Sequence, residues 1–97
     1  MSSLSSAAAL ADEGALPVTA RFSVQARQEA GVMPRLLELF AKRGLVPQRF
    51  AGAVSQTTLS VEVQIGGLGR DTADYIARCM RQIVGVETVL TTSVPEG

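Results

Sequence analysis

A loop and a short helix are encoded by Gln28-Glu29-Ala30-Gly31-Val32-Met33-Pro34-Arg35-Leu36-Leu37-Glu38-Leu39-Phe40-Ala41-Lys42-Arg43-Gly44. Gly31 supplies a flexible backbone joint, and Pro34 fits the first turn of a helix, where its missing N–H is tolerated. Arg43 and Gly44 suit the C-terminal end of that helix. The apolar residues that recur at helical spacing predict a buried stripe: Met33, Leu36, Leu37 and Phe40. The first amides of such a helix are suited to a carboxylate, although an ordinary strand-to-helix connection carries the same residues.

Composition limits the function classes. A chain of 97 residues, 46% hydrophobic and 19% charged, predicts one globular domain. The formal net charge of zero gives no attraction to nucleic acid or to an anionic membrane, and no apolar run approaches the roughly 20 residues of a membrane span. Cys79 is the only cysteine and there is no histidine, so disulfide frameworks, zinc sites and histidine catalysis are not expected. The default compartment is the reducing cytoplasm.

The chain is predicted to consist of a flexible tail over residues 1–16 and one domain over residues 17–94. A helix that docks on a partner is the alternative for the tail. From Val18 to Ala26, apolar residues alternate with polar ones, which predicts a strand with one buried face. Arg21 and Arg27 fall on the opposite face, where they are either solvated or in contact with a partner.

The middle of the chain predicts a β-hairpin. Leu45 to Val54 reads as a second strand, which Pro47 confines to a sheet edge or to pairing after that residue. Gly52 weakens this strand or marks a bulge. A turn at residues 55–57 leads to the clearest strand, in which Leu59, Val61, Val63 and Ile65 alternate with polar residues, and which is expected at the centre of the sheet.

The second helix follows a glycine-rich connection, residues 66–69, whose spacing fits no phosphate-binding motif. Asp71 or Thr72 is the predicted N-cap, and Gly85 the predicted end. Its predicted buried stripe is Ala73, Ile76, Ala77, Met80 and Val84. The last strand covers residues 86–94, and its inward face stays open because Val89 and Leu90 are adjacent and both apolar.

The predicted order strand–helix–strand–strand–helix–strand is the α+β, ferredoxin-like βαββαβ fold: a four-stranded antiparallel sheet with two helices on one face and strands 1 and 3 in the centre. Many functions share this fold. Strand 3 lacks the aromatics of RNA-recognition domains, and no CxxC metal-chaperone loop is present. No catalytic constellation is apparent, so no catalytic residue and no metal ligand is predicted.

The segment Gln28–Gly44 resembles the N-E-x-G-x-L-x-R-x-x-x-L-F-x-x-R-G run of ACT domains, in particular of the regulatory (small) subunit of acetolactate synthase, also called acetohydroxyacid synthase. Thr58–Ile65 and Gln82–Val89 resemble later blocks of that family, so the likeness covers about residues 18–92. Gln28 stands where the family has asparagine, and Ala30 where it usually has a small polar residue.

The resemblance implies a non-catalytic subunit that pairs as a homodimer, activates a large catalytic subunit and responds to a branched-chain amino acid, typically valine. Thiamine diphosphate, Mg and FAD would belong to the catalytic subunit, and this chain would need no cofactor. The implied effector-binding residues are Gln28, Glu29, Ala30, Gly31, Val32 and Met33. The predicted dimer interface contains Val32, Leu39, Pro47, Arg49, Phe50 and Ala51; Val32 and Leu39 equally fit a widened core face.

Three function hypotheses remain at this point. The chain is a regulatory subunit of acetolactate synthase, or a free-standing ACT-domain amino-acid sensor that regulates another protein. The third hypothesis is a small ferredoxin-like enzyme such as an acyl-phosphate hydrolase, which is disfavoured because the first loop lacks an anion-holding arginine.

Overall fold

The computed structural model describes residues 18–95, and the predicted tail of residues 1–16 lies outside them. The elements are β1 Val18–Arg27, α1 Val32–Ala41, β2 Arg49–Ser55, β3 Thr58–Leu68, α2 Arg70–Arg81 and β4 Val86–Pro95. All strand pairs are antiparallel, in the order β2-β3-β1-β4. This is the predicted ferredoxin-like βαββαβ fold, with β1 and β3 central and the proline-preceded strand β2 at an edge. Neither of these two helices is both long and apolar enough to cross a membrane.

One apolar core lies between the sheet and both helices. The alternation in β1 and β3 is confirmed, because every second side chain is buried against α1 and α2. The fully buried residues include Phe22 on β1, Phe40 on α1 and Ile76 on α2. The Phe22 and Phe40 rings pack at a centroid distance of 6.2 Å, which places α1 directly on the centre of the sheet.

The buried stripe of α1 differs from the predicted one. Val32, Leu36 and Phe40 are fully buried, whereas Leu37 is 43% exposed. Leu37 follows Leu36 by one residue, about 100° around the helix, so it turns away from the core once Leu36 points directly into it. The end of α1 is as predicted: Arg43 Nη1 donates to the Leu39 carbonyl at 2.9 Å, and Gly44 has a φ of 68°.

Strand β2 enters the sheet after Pro47, as the proline requires, but Gly52 marks no bulge. The β2–β3 register is continuous from Arg49 to Ser55. A Cβ at Gly52 would lie 3.0 Å from Met33 Cε and 3.2 Å from its Sδ. The glycine therefore makes room for the Met33 side chain to pack across the edge strand.

Most of the glycine-rich connection predicted before α2, residues 66–69, lies within a strand. Strand β3 continues through Gly67, whose φ is 78°, to Leu68, which is 5% exposed. The register shifts between the Val18↔Leu68 and Ala20↔Ile65 pairs, so β3 carries one extra residue there. Glycine is needed for this bulge in the sheet and not for a loose loop.

Both ends of α2 differ from the predicted ones. Its N-cap is Gly69, without a side-chain capping bond, so neither Asp71 nor Thr72 is the cap, and Asp71 instead lies in the first turn. The helix ends at Arg81, and Val84, beyond that end, is 68% exposed rather than buried. The other four residues of the predicted stripe are buried.

The open question about β4 is settled by its pairing with β1. Val89 lies opposite Val24 and is 3% exposed, whereas Leu90 is 63% exposed on the other face of the sheet. The register shifts between Gln25 and Ala26, which places Glu87 in a bulge at the start of the strand.

Candidate functional site

The loop between β1 and α1 lies beside the β2–β3 hairpin. Because β1 and β3 are antiparallel, Arg27 at the end of β1 is opposite Thr58 at the start of β3. The hairpin turn is thereby brought to the end of the sheet where residues 28–31 begin. The amide nitrogen of the Gln28 side chain donates to the Gln56 carbonyl in that turn. This hydrogen bond ties the loop to the hairpin.

A groove of about 340 Å³ opens between the loop and the hairpin. Four of the six predicted effector residues line it together with two hydrophobic residues of the hairpin; the set is Gln28, Glu29, Ala30, Met33, Val54 and Leu59. A second depression of about 540 Å³ shares Gln28 and Glu29 with the groove and is also lined by Gln56, Thr57 and Glu87 among others. The wall of the groove is apolar, and its rim is polar.

Val54, Leu59 and Gln56 were not among the predicted site residues. The signal that locates them is topological: in an antiparallel pair, the start of β3 must lie beside the end of β1. Sequence spacing alone does not reveal it, because these residues lie more than 20 positions from Gly31.

Glu29 braces the loop. Its Oε2 lies 2.9 Å from Arg27 Nε, and the backbone N–H of Arg27 donates to the Gly85 carbonyl at 2.8 Å. Gly85 has a φ of 100°, and a Cβ there would lie 3.0 Å from both Glu29 Oε1 and Val32 Cγ2. The turn before β4 thus packs closely against the loop and holds its carboxylate in place.

The start of α1 offers fewer amides than a regular helix. The Val32 N–H donates to the Glu29 carbonyl at 3.2 Å, and Pro34 has no N–H. The Arg35 N–H donates to the Gly31 carbonyl at 3.3 Å. Within the described part of the chain, the backbone N–H groups of Ala30, Gly31 and Met33 have no acceptor. These three donors are left for a ligand.

Gly31 is not the flexible joint that was predicted. Its φ of −78° and ψ of −9° are ordinary helical values that any residue adopts. A Cβ at this position would instead contact the Arg35 guanidinium group. The glycine therefore gives the arginine side chain room to fold over the loop.

The predicted interface residues lie in different parts of the fold. Val32 is fully buried, so its side chain widens the core. Leu39 also packs against the core, on the flank where Arg43 reaches the Tyr75 ring of α2 at 5.1 Å. Leu37 lies one turn from Met33, and therefore on the flank over β2. Pairing alongside β2 would use Leu37 rather than Leu39.

The remaining predicted interface residues lie on or just before the edge strand. Pro47 is half-buried before β2, and Phe50 packs against the core on the helix side. Arg49 and Ala51 lie on the opposite sheet face, where their neighbours on β3 are Gln64 and Glu62. The interface itself stays a prediction. Among the described residues, no cluster of three or more Cys, Asp or Glu side chains is placed to hold a metal.

Known proteins similar to this chain share its fold. A family model described as an ACT-like domain matches residues 13–96. The ACT domain from GTP pyrophosphokinase of Chlorobium tepidum superposes with a TM-score of 0.69 at 13% identity, covering 78% of this chain and 99% of that chain. The C-terminal domain of the MgtC protein from Mycobacterium tuberculosis gives 0.65 at 10% identity, covering 80% and 88%. No curated protein sequence matches significantly.

At these identities the structural likeness shows the fold alone, whereas the family model spans most of the sequence. Because that match includes both βαβ units and the loop at residues 28–31, this chain belongs to the ACT-like domain family.

Proposed function

We propose that this chain is a non-catalytic regulatory module that binds an aliphatic amino acid in the groove between the first loop and the β2–β3 hairpin. ACT domains are typically regulatory modules that sense amino acids. The observation that carries the proposal is the composition of the groove. Free backbone amides at the start of α1 lie beside an apolar wall formed by Met33, Val54 and Leu59.

The carboxylate and the side chain of an aliphatic amino acid each have a counterpart in this groove. The amides of Ala30, Gly31 and Met33 are donors at a helix N-terminus, where a carboxylate is favoured. The Met33 side chain is flexible and adapts to branched side chains. Valine and its branched-chain relatives match a small apolar wall better than charged amino acids do.

A second copy of the chain is the proposed cover of the groove. Strand β2 is an edge strand, and an unpaired edge favours pairing with another chain. Val54, which forms one wall, is 59% exposed in the single chain, and Leu37 on the adjacent flank of α1 is 43% exposed. Pairing along β2 and α1 would bury these side chains and close the groove in a homodimer.

The proposed partner is the catalytic subunit of acetolactate synthase, in the cytoplasm. The support is the resemblance of Gln28–Gly44 to the regulatory subunit of that enzyme. The thiamine-diphosphate chemistry would then belong to the partner, and this chain would raise its activity and convey the amino-acid signal.

Thermal unfolding with and without amino acids tests ligand binding. We expect valine, leucine or isoleucine at 100 times its Kd to stabilise the chain by about 2.7 kcal/mol, and lysine to have little effect. Val54→Asp should abolish this stabilisation, because it places a carboxylate in the apolar wall. Leu90→Asp is the matched control, since Leu90 is similarly exposed but lies on β4, on the face of the sheet opposite the helices. An equal response in both variants, or no response to any common amino acid, would contradict the proposal.

A free-standing sensor that regulates another protein is the second candidate. The ACT domain of the similar C. tepidum structure comes from a GTP pyrophosphokinase, so the fold alone does not select acetolactate synthase. Mixing this chain with the catalytic subunit from the same organism separates the two candidates. A rise in activity and a shared elution volume support the first, whereas a ligand response without either supports the second.

A further inference from the structure

The face of the sheet opposite the helices carries three polar side chains in one cross-strand row. Arg49 on β2, Gln64 on β3 and Arg21 on β1 are direct partners in the strand register. Neighbouring strands are about 4.8 Å apart, so both guanidinium groups can reach the space above Gln64. These residues and Glu62, two positions away on β3, line a cavity of about 320 Å³.

The charges around this cavity do not neutralise one another. In residues 18–95, the ion pair that forms joins Arg27 to Glu29, and neither the Arg21 nor the Arg49 side chain pairs with a carboxylate or donates a hydrogen bond to a described residue. Glu62 is held on the other side, because its Oε2 accepts a hydrogen bond from Ser23 Oγ at 2.8 Å. Two cations and one anion thus face the same space, with a net charge of +1.

We propose that this cavity binds an acidic amino acid, a ligand with two carboxylates and one ammonium group. Each guanidinium group presents a planar fork of donors that matches one carboxylate. The Glu62 carboxylate, fixed by Ser23, is the counterpart of the ammonium group. The ligand's net charge of −1 balances the site.

This site is separate from the proposed aliphatic site. The groove beside the first loop is lined by Met33, Val54 and Leu59, which lie on the helix side of the sheet or on α1, whereas the arginine row lies on the opposite face. A failure at one site therefore leaves the other untouched, and the two are distinguishable by which amide signals respond to a ligand.

Titration of the full ¹⁵N-labelled chain with glutamate and aspartate, followed by NMR, tests the proposal. We expect saturable shifts of the amides of Arg21, Gln64 and Arg49 at millimolar ligand. Glutamine lacks the second carboxylate and glutarate lacks the ammonium group, so each should bind at least about tenfold more weakly, which corresponds to one lost charge-assisted contact.

Variants assign the contacts. Arg21→Gln and Arg49→Gln should each raise the Kd for glutamate at least about tenfold. Lys42→Gln removes the same charge from an exposed position at the end of α1, away from the cavity, and should leave the Kd unchanged. Glu62→Gln should remove the preference for glutamate over glutarate, which a merely structural role of Glu62 would not do.

Several outcomes would overturn the proposal. These are no saturable shift in the arginine row up to about 20 mM glutamate, unchanged binding in both arginine variants, or equal binding of glutarate by the unaltered chain. Binding that appears only in the variant Asp12→Asn/Glu13→Gln would also overturn it. That result would mean that these two acidic residues of the N-terminal segment compete for the cavity.

Discussion

The two strand-to-helix connections of this chain occupy equivalent places in its two βαβ units, yet they differ in length. Four residues, 28–31, join β1 to α1, whereas Gly69 alone joins β3 to α2. Both connections contain glycine, and both lead directly into a helix without a side-chain cap.

The surroundings of the two connections explain why only the first forms a groove. Gln28, Glu29 and Ala30 are exposed and lie beside the β2–β3 hairpin, which supplies an opposite wall. At the second connection, β3 continues to Leu68, which is buried, and the adjacent strand residue is Val18 at the start of β1. Loop length and the neighbouring turn therefore decide where a site forms, and glycine content does not.

The largest expected effect tests whether the second connection is packed in the core, in contrast to the exposed first connection. Leu68→Ala should lower the free energy of unfolding by about 2–4 kcal/mol, because Leu68 is 5% exposed and the truncation leaves a cavity. Leu90→Ala, at a leucine of β4 that is 63% exposed, should cost less than about 1 kcal/mol. Denaturant unfolding of both variants gives these values. Equal costs would show that the end of β3 is as loosely packed as a surface loop.

A smaller effect tests how the first connection is held. Gly85→Ala should cost about 1–3 kcal/mol, since the residue combines a φ of 100° with a Cβ position 3.0 Å from Glu29 and Val32. Gly44→Ala is the matched control, because its φ is 68° and nothing lies within 4 Å of the added Cβ. Only the first variant should shift the amide signals of residues 28–31. A shift of that loop in both variants would contradict the proposed brace.

Most of the fold could be predicted from the sequence because apolar alternation and helical spacing report directly on burial. The alternation over Val18–Ala26 and Leu59–Ile65 fixed the two central strands, and Pro47 fixed the edge. The predictions that failed involve glycines and helix limits. Gly52, Gly31 and the bulge at Gly67 depend on contacts with Met33, Arg35 and the adjacent strand, which local sequence does not contain.

The candidate site was predicted only in part, for the same reason. The loop residues are adjacent in the chain, so their shared location is visible in the sequence. Val54 and Leu59 meet the loop only through strand pairing. Leu37 was predicted to be buried and is 43% exposed, whereas Leu39, which fitted either the core or an interface, packs against the core. The rotation of the helix decides which flank is buried, and packing of Leu36 and Phe40 sets that rotation.

The smallest expected effect concerns the hydrogen bond that links the first connection to the hairpin. Gln28→Ala removes the donor to the Gln56 carbonyl, which is exposed, so the free energy of unfolding should fall by no more than about 1 kcal/mol. Amide hydrogen exchange of Glu29 and Val32, whose N–H groups are hydrogen-bonded at the loop, should nevertheless accelerate, because the loop loses its tie to the hairpin. Gln82→Ala, at an exposed glutamine after α2, is the control and should leave exchange in the loop unchanged. If Gln28→Ala also left exchange unchanged, the loop would be held by Glu29 and Gly85 alone, and the hairpin would serve only as a wall of the groove.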